Sequence, residues 1–339
     1  MPLAPAVPSS PMPPRSILLV KPGSMGDVIH ALPVASAIHA AWPDAKLTWI
    51  IDPRWQPLLE GNPAVSSAVP FPRQNFRGLK GAVRSVRWYS ELHKLAPDLA
   101  IDLQGLFRSG LMVKASGAPQ SVGLSDSREF ASLFYSTIVQ TFPHEHAVRR
   151  YLRCLPAIGL PVPTQINFMF NRFNNSFSSL LKENYIVIHP FARGAGKSLS
   201  QEVINALIAN AAISSNIQIV LVGMGQVPEN LGPGVLNLVG KTSLSDLVSI
   251  LREACFVISV DSGPMHLAAG LGVPLLGIHT WSDPRLVGPY DESAWIWQGG
   301  GIRRQDFTHA PLPERAFTVE HAKEVAGFVL ERMSGKTEK

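Results

Sequence analysis

The chain has 339 residues, of which 46% are apolar and only 16% charged. That composition supports sizeable cores and excludes wholesale disorder, and the length suits two ordinary domains. A net charge of +5 and a pI near 9.3 favour an anionic partner, whether nucleic acid, membrane face or phosphorylated small molecule.

No apolar run approaches the roughly 20 residues of a membrane span. Cys154 and Cys255 lie in apolar segments without metal-type spacing, so they read as buried reduced thiols of a cytosolic protein. Residues 1–15, MPLAPAVPSSPMPPR, have no charged start and no continuous apolar stretch. They read as a disordered, Pro-rich tail and not as a secretory signal.

A short β-rich run then enters KPGSMGDVIH at residues 21–30 and leads into a helix predicted from about Asp27 to Trp42. Gly23 and Gly26 let the chain turn, and amides at a helix start attract negative charge. Asp27 has two readings, a helix N-cap or a carboxylate at a cleft rim available as a general base. His30, one turn on, either modulates that carboxylate or packs. The turn lacks the Gly-x-Gly-x-x-Gly of a dinucleotide site, and Asp52 as a ribose carboxylate is a weak signal by itself.

KLTWIID (46–52) and LAIDLQG (99–105) read as buried strands. Between them PRQNFRGLKGAVRSVRW (72–88) carries Arg73, Arg77, Lys80, Arg84 and Arg87 with no acid. Such a strip is either a solvated face or a surface for several phosphates or an anionic membrane. Asp102, Gln104, Arg108, Arg128 and Glu129 follow in DLQGLFRSG and SREFASLFY, at loop or helix-start positions.

The pattern restarts after a polar, Asn/Ser-rich stretch that reads as a linker at 171–184. YIVIHP (185–190), IQIVLVG (217–223), CFVISVD (255–261) and PLLGIHT (274–280) are short strands with helical segments between. Two consecutive α/β domains are expected, at 16–170 and 185–315, then a closing helix near Val319 to Met333 and a tail within 316–339. Ligands in such sheets gather at the carboxyl ends of the strands, where Asp27, His189, Gly223 and Asp261 sit.

FARGAGKSLS (191–200) imitates a triphosphate loop, but Phe191 stands where the first glycine belongs. Gly240-Lys241-Thr242 fails the same test at Val235. In SVDSGPMHLAAGLG (259–272) a strand delivers Asp261, and Pro264 suits the first turn of a helix bearing His266. Free amides at Ser262, Gly263 and Met265 would suit a pyrophosphate, the alternative being a capped turn with a packed histidine. Residues 291–314 receive no element.

Taken together, SMGDVIHALPVASAI, DLQGLFRSG, REFASLFY, HEHAVRRY, GKTSLSDLVSIL and SVDSGPMHLAAGLGVPLLGIHTWSDP resemble, in order, the bacterial lipopolysaccharide heptosyltransferases of glycosyltransferase family 9. SMGDVIH with LFRSG is most similar to the first heptosyltransferase. The resemblance implies an α/β protein of GT-B fold, two Rossmann-like domains facing across a cleft. It implies an inverting transfer from an ADP-heptose donor to a phosphorylated Kdo-lipid A acceptor, with no cofactor and no obligatory metal. Asp27 then looks like the general base, with Lys197 meeting the leaving diphosphate. Arg193, Glu229, Thr242, Asp261, Ser262, Gly263 and His266 would attend the donor. Ser24, Met25, Gly26, Arg73, Arg77, Lys80, Gln104, Arg108 and Arg128 would attend the acceptor. The implied protein is cytoplasmic, peripheral at the inner membrane, monomeric, and binds no nucleic acid.

This chain departs from the family pattern at Lys197-Ser198-Leu199-Ser200 and Phe191-Ala192-Arg193, where hydroxyl residues are lost and Arg193 substitutes. Only Glu229 is left to serve the donor ribose. A different nucleotide-sugar or acceptor is therefore the alternative, as is a degenerate module that binds without catalysis. A nicotinamide oxidoreductase is disfavoured by the missing fingerprint.

Overall fold

The computed structural model describes residues 12–334 apart from 77, 195, 214, 215 and 309. Most of the 1–15 tail, the end of the C-terminal tail and the candidate Arg77 lie outside the described residues.

The first half of the chain alternates β1 (Ser16–Val20), α1 (Met25–Ala41), β2 (Lys46–Ile51), β3 (Ser67–Pro70), α2 (Gly78–Leu92), β4 (Leu99–Asp102), α3 (Phe107–Ser116), β5 (Gln120–Leu124) and β6 (Thr137–Val139). Short helices α4 (Ala147–Leu152) and α5 (Cys154–Ala157) follow. The six strands form one parallel sheet in the order β3-β2-β1-β4-β5-β6. Strands β1 and β4 are apolar and almost wholly buried, as a sheet covered on both faces requires.

The second half builds β7 (Tyr185–His189), α6 (Gln201–Ala211), β8 (Gln218–Leu221), β9 (Val235–Asn237), α7 (Leu244–Glu253), β10 (Phe256–Val260), α8 (Gly263–Gly270), β11 (Leu275–Ile278), α9 (Pro284–Val287), β12 (Trp295–Gln298), β13 (Gly301–Arg304) and α10 (Val319–Met333). Its sheet runs β13-β12-β11-β10-β7-β8-β9, parallel except for the β12–β13 pair. Both sheets are doubly wound, reversing direction between β1 and β4 and between β7 and β10. Those reversal points leave crevices beyond the strands' carboxyl ends.

The apolar side chains explain how the halves join. One cluster covers a face of the first sheet with α2 and α3, through Leu18, Val20, Leu92 and Met112. Another covers a face of the second sheet with α6 and α10, through Ile204, Leu207, Val325 and Val329. The largest runs from β1 and α1 of the first half through α8 into the second, so α1 and α8 meet at the boundary. Among the described residues no helix is long and apolar enough to cross a membrane.

Several local expectations change. Helix α1 begins at Met25, with Ser24 as its N-cap, so Asp27 is the third helical residue and not the cap. Strands β3, β5, β6 and β9 were not anticipated; β9 has only three residues, all half-buried. Residues 291–314 contain a hairpin, β12 and β13, that finishes the second sheet. The 170–184 stretch is tied to α7: Ser176 N donates to Asp246, Ser249 Oγ to Phe173 O, and Arg252 to Asn171 O. Cys154 is buried, with its thiol pushed up to about 12 by burial, but Cys255 is half-exposed.

Candidate active site

Lys21 follows β1 directly and is only 2% exposed, an unusual place for an ammonium. Its Nζ donates to Leu103 O at 3.0 Å, bridging the ends of β1 and β4 at the first sheet's reversal point. It also lies 3.6 Å from Asp27 Oδ1 and 4.8 Å above the Tyr151 ring. Tyr151, fully buried on α4, donates its hydroxyl to Asp27 Oδ1 at 3.1 Å. Asp27 Oδ2 accepts from Ser24 N at 2.9 Å and Ser24 Oγ at 3.0 Å.

Burial works against ionising Asp27, but the Lys21 charge and the bonds from Ser24 and Tyr151 outweigh it. The carboxyl is held below its usual range. Its side chain is still 39% exposed, so a charged, oriented carboxylate with an open side stands at the start of α1. Of the two readings of Asp27 the N-cap falls to Ser24, while the bonds from Ser24 fix the carboxylate as the N3 member of a capping box.

Across the boundary α8 begins at the second reversal point. Ser262 Oγ lies 3.1 Å from His189 Nδ1, joining the ends of β10 and β7. Asp261 is 8% exposed, and burial pushes its carboxyl up to about 6 against the pull of Ser282 and Lys197. Its Oδ1 is 3.6 Å from His266 Nε2. Met265 N bonds back to Ser262 O, so of the three expected free amides this one is occupied. Of the amides expected to meet a pyrophosphate, those of Ser262 and Gly263 remain.

The two helix starts touch. His30 Nε2 and His266 Nδ1 are 3.1 Å apart, and His146 stacks edge-on to His30 at 5.3 Å. A Cβ on Gly26 would come within 2.6 Å of His266, and one on Gly263 within 2.5 Å of Met25 Sδ. Glycine at these positions is what lets the backbones approach. Burial holds His30, His146 and His266 below the ordinary imidazole range, the latter two to about 3, so they serve as neutral hydrogen-bonding rings.

Lys197 joins this group from the β7–α6 loop. Its Nζ sits 3.3 Å from the centroid of the Trp281 ring, and its charge is felt by Asp261. Arg193 on the same loop reaches the other domain, 5.2 Å over Trp55. Glu229 lies apart, lining a hollow with Gln201, Asn205 and Gln226. Thr242 is half-buried in the loop before α7. Asp52 is engaged by Arg54, with Nη2 2.7 Å from Oδ2, and so is no free ribose acceptor.

Of the residues expected to attend an acceptor, Ser24, Met25 and Gly26 line the start of α1. Arg73 and Arg108 are close enough to repel; burial and the Arg73 charge both lower Arg108. Lys80 opens α2, and Arg128 is exposed on the loop after β5. Gln104 is fixed through its backbone N–H, which donates to Asp102 Oδ1 at 2.8 Å, while its buried side-chain Oε1 has no partner among the described residues. Asp102 itself is fully buried and receives the Tyr135 hydroxyl at 2.7 Å, a structural clasp for this turn.

Lys21, Tyr151, Trp55 and Trp281 were not singled out from the sequence. Lys21 carried a signal, being a lysine directly after a buried strand; Tyr151 stood only as the last residue of HEHAVRRY, and an aromatic on a helix ordinarily means core. Among the described residues no group of three or more His, Cys, Asp or Glu could hold a metal.

Residues 86–308 match the family description "Glycosyltransferase family 9 (heptosyltransferase)". Lipopolysaccharide heptosyltransferase 1 of Escherichia coli is 28% identical over 296 residues, 83% of this chain and 92% of that one. The structure of the E. coli heptosyltransferase WaaC with ADP superposes with a TM-score of 0.77 at 26% identity, covering 93% of this chain and 99% of that one. WaaC with ADP-2-deoxy-2-fluoro heptose gives 0.73 at 25%, covering 94% and 99%. The paired doubly wound domains are thus a GT-B fold. The chain belongs to glycosyltransferase family 9, the heptosyltransferases, and is a glycosyltransferase.

Proposed function

We propose that the chain transfers heptose from ADP-L-glycero-D-manno-heptose to the Kdo-lipid A inner core of lipopolysaccharide, with inversion. Support for donor and acceptor comes from relatives named for lipopolysaccharide and from WaaC structures holding ADP and a fluorinated ADP-heptose. The observation that carries the chemistry is Asp27, ionised and fixed by Lys21, Tyr151 and Ser24 at the start of α1, opposite α8.

An acceptor hydroxyl oxygen attacks the anomeric carbon while the bond from that carbon to the diphosphate oxygen breaks. The bonding pair leaves with ADP, and the hydroxyl proton passes to Asp27. Lys197, Arg193 and the first amides of α8 meet the charge growing on the diphosphate. Lys197 waits over Trp281, within electrostatic reach of Asp261. Asp261 and His266 attend the sugar end of the donor, while Arg73 and Arg108 attend acceptor phosphates. The enzyme works as a monomer at the cytoplasmic face of the inner membrane.

A related reading keeps the chemistry and changes the sugar. It is favoured by Phe191, which is 6% exposed and packs where Cβ atoms on Gly223 and Gly225 would fall. A panel of ADP- and UDP-sugars with purified protein separates the two. Asp27→Ala should abolish transfer while leaving ADP binding nearly intact; retained turnover removes the base assignment. Absence of ADP binding by the unaltered protein would instead indicate a degenerate module.

A further inference from the structure

Helix α2 is amphipathic, with apolar side chains on more than its packed face. Its inner face, with Gly81, Trp88, Tyr89 and Leu92, packs towards Phe71 and Phe76. Its outer face still carries two apolar side chains one turn apart, Val83 at 72% and Val86 at 70% exposure. Arg84 and Arg87 flank them, and Lys80 lies one turn earlier.

The same side of the first domain carries a second exposure of this kind. α3 packs beside α2, and the turn after β5 packs on α3. That turn presents Phe130 and Leu133, both 79% exposed, while its Phe134 packs edge-on to Phe107 at 5.5 Å. Glu129 and Phe130 adopt consecutive left-handed conformations, at φ 57° and 62°, uncommon for residues other than glycine. Arg108 and Arg128 stand beside this knob. Among the described residues none of Lys80, Arg84, Arg87, Arg108 and Arg128 forms a salt bridge. Glu129 lies within electrostatic reach of Arg108 and Glu91 within that of Arg87, but the cations outnumber these acids. Exposed apolar groups ringed by an excess of cations suit a surface that is apolar below and anionic above.

We propose that α2 and the Phe130–Leu133 turn dock the first domain on an anionic phospholipid bilayer, with Val83, Val86, Phe130 and Leu133 entering the headgroup layer. Charge complementarity selects this occupant: a second copy of this chain would bring the same cations against themselves. The docking deepens the proposed transfer to a lipid-borne acceptor and rests on that reading for its purpose. Its physical content is nevertheless testable without any acceptor. The approach also makes sense of placement, since α2 and α3 both start at the carboxyl edge of the sheet, where Asp27 stands.

The test is sedimentation of the full chain with acceptor-free vesicles of phosphatidylglycerol and phosphatidylethanolamine, against vesicles of phosphatidylcholine alone. The expected result is binding to the anionic vesicles, weakened by salt, and little binding to the neutral ones. Arg84→Gln with Arg87→Gln should lower partitioning by about 25-fold, about fivefold per cation. Val83→Ser with Val86→Ser, and separately Phe130→Ser with Leu133→Ser, should each lower it by about tenfold. The valine pair should leave turnover of a short, water-soluble acceptor unchanged. No binding to anionic vesicles, equal binding to neutral ones, or serine variants that bind like the parent would overturn the proposal. Vesicle binding without turnover of any sugar acceptor would leave the docking standing and remove the transfer reading.

Discussion

Tyr151 donates its hydroxyl to the Oδ1 of Asp27 across 3.1 Å, from a ring that no solvent reaches. Together with Lys21 beneath, it makes the carboxylate a group whose charge is set from behind while its front stays open. Burial raises the Asp27 pKa, while Lys21, Ser24 and Tyr151 lower it, and the net shift is downward. Lys21→Met removes the strongest of the lowering influences, so the acid limb of the kcat/KM profile should move to higher pH. Tyr151→Phe should move it in the same direction by less. A merely structural role for either residue would lower activity without moving that limb.

Gly26 and His266 offer a test of how the two domains meet. The histidine ring is pinned by its 3.1 Å contact with His30 and cannot swing away from a methyl group 2.6 Å from its Cδ2. Gly26→Ala should therefore cost about 1–3 kcal/mol, as overpacking in a close-packed core does. Differential scanning calorimetry reads the loss directly. An unchanged melting temperature would mean that α1 and α8 do not approach this closely in solution.

The buried histidines predict acid lability with a definite sign. His146, His266 and His279 are held near 3 and His189 near 4, in each case chiefly by burial. The unfolded chain takes up protons near the ordinary imidazole value of about 6.5, while the folded chain does not. Stability should be full above that pH and fall progressively as pH drops towards 4. A urea titration series across this range checks it; a flat profile would show that the rings titrate freely.

Asp261 should behave in the opposite way. Burial raises its pKa to about 6, so above that pH the folded protein bears an ionised carboxylate that the unfolded chain accommodates better. Asp261→Asn should accordingly stabilise the protein by up to about 3 kcal/mol at pH 8. The gain should vanish below about pH 4, where the carboxyl is protonated in both states. Denaturant midpoints of the two proteins at pH 8 and pH 4 give the comparison.

Lys197→Met tests the leaving-group role. The lysine lies over Trp281 and is felt by Asp261, on the far side of the boundary from the acceptor candidates. Removing its charge should lower kcat by about 10²-fold, comparable to losing one transition-state donor, with the acceptor KM nearly unchanged. An equal loss in both constants would assign it to general binding.

Much of the fold was legible in the chain. Runs such as SILLV, LAID, YIVIH and FVISV are short, apolar and followed by turn residues, and a parallel sheet buried on both faces demands that pattern. The closing helix from Val319 to Met333 was readable from its periodicity. Edge strands were not: β3 and β9 are half-exposed, and their short, mixed sequences carry no clear period. The start of α1 was misplaced because Asp and Ser both favour helix ends, and only the hydrogen-bond geometry distinguishes cap from third residue.

The sequence by itself determined the strand–turn–helix units and put Asp27, His189, Gly223 and Asp261 at the carboxyl ends of strands, because local propensity and side-chain period act over a few residues. Tertiary structure alone decided what those residues face. Lys21 and Asp27 are neighbours in the chain, but Tyr151 lies 124 positions from Asp27 and His266 lies 236 from His30. No local pattern encodes such distances. They follow from packing α1 against α4 and α8, where the absence of a Cβ at Gly26 and burial of the histidine rings set how closely the domains approach.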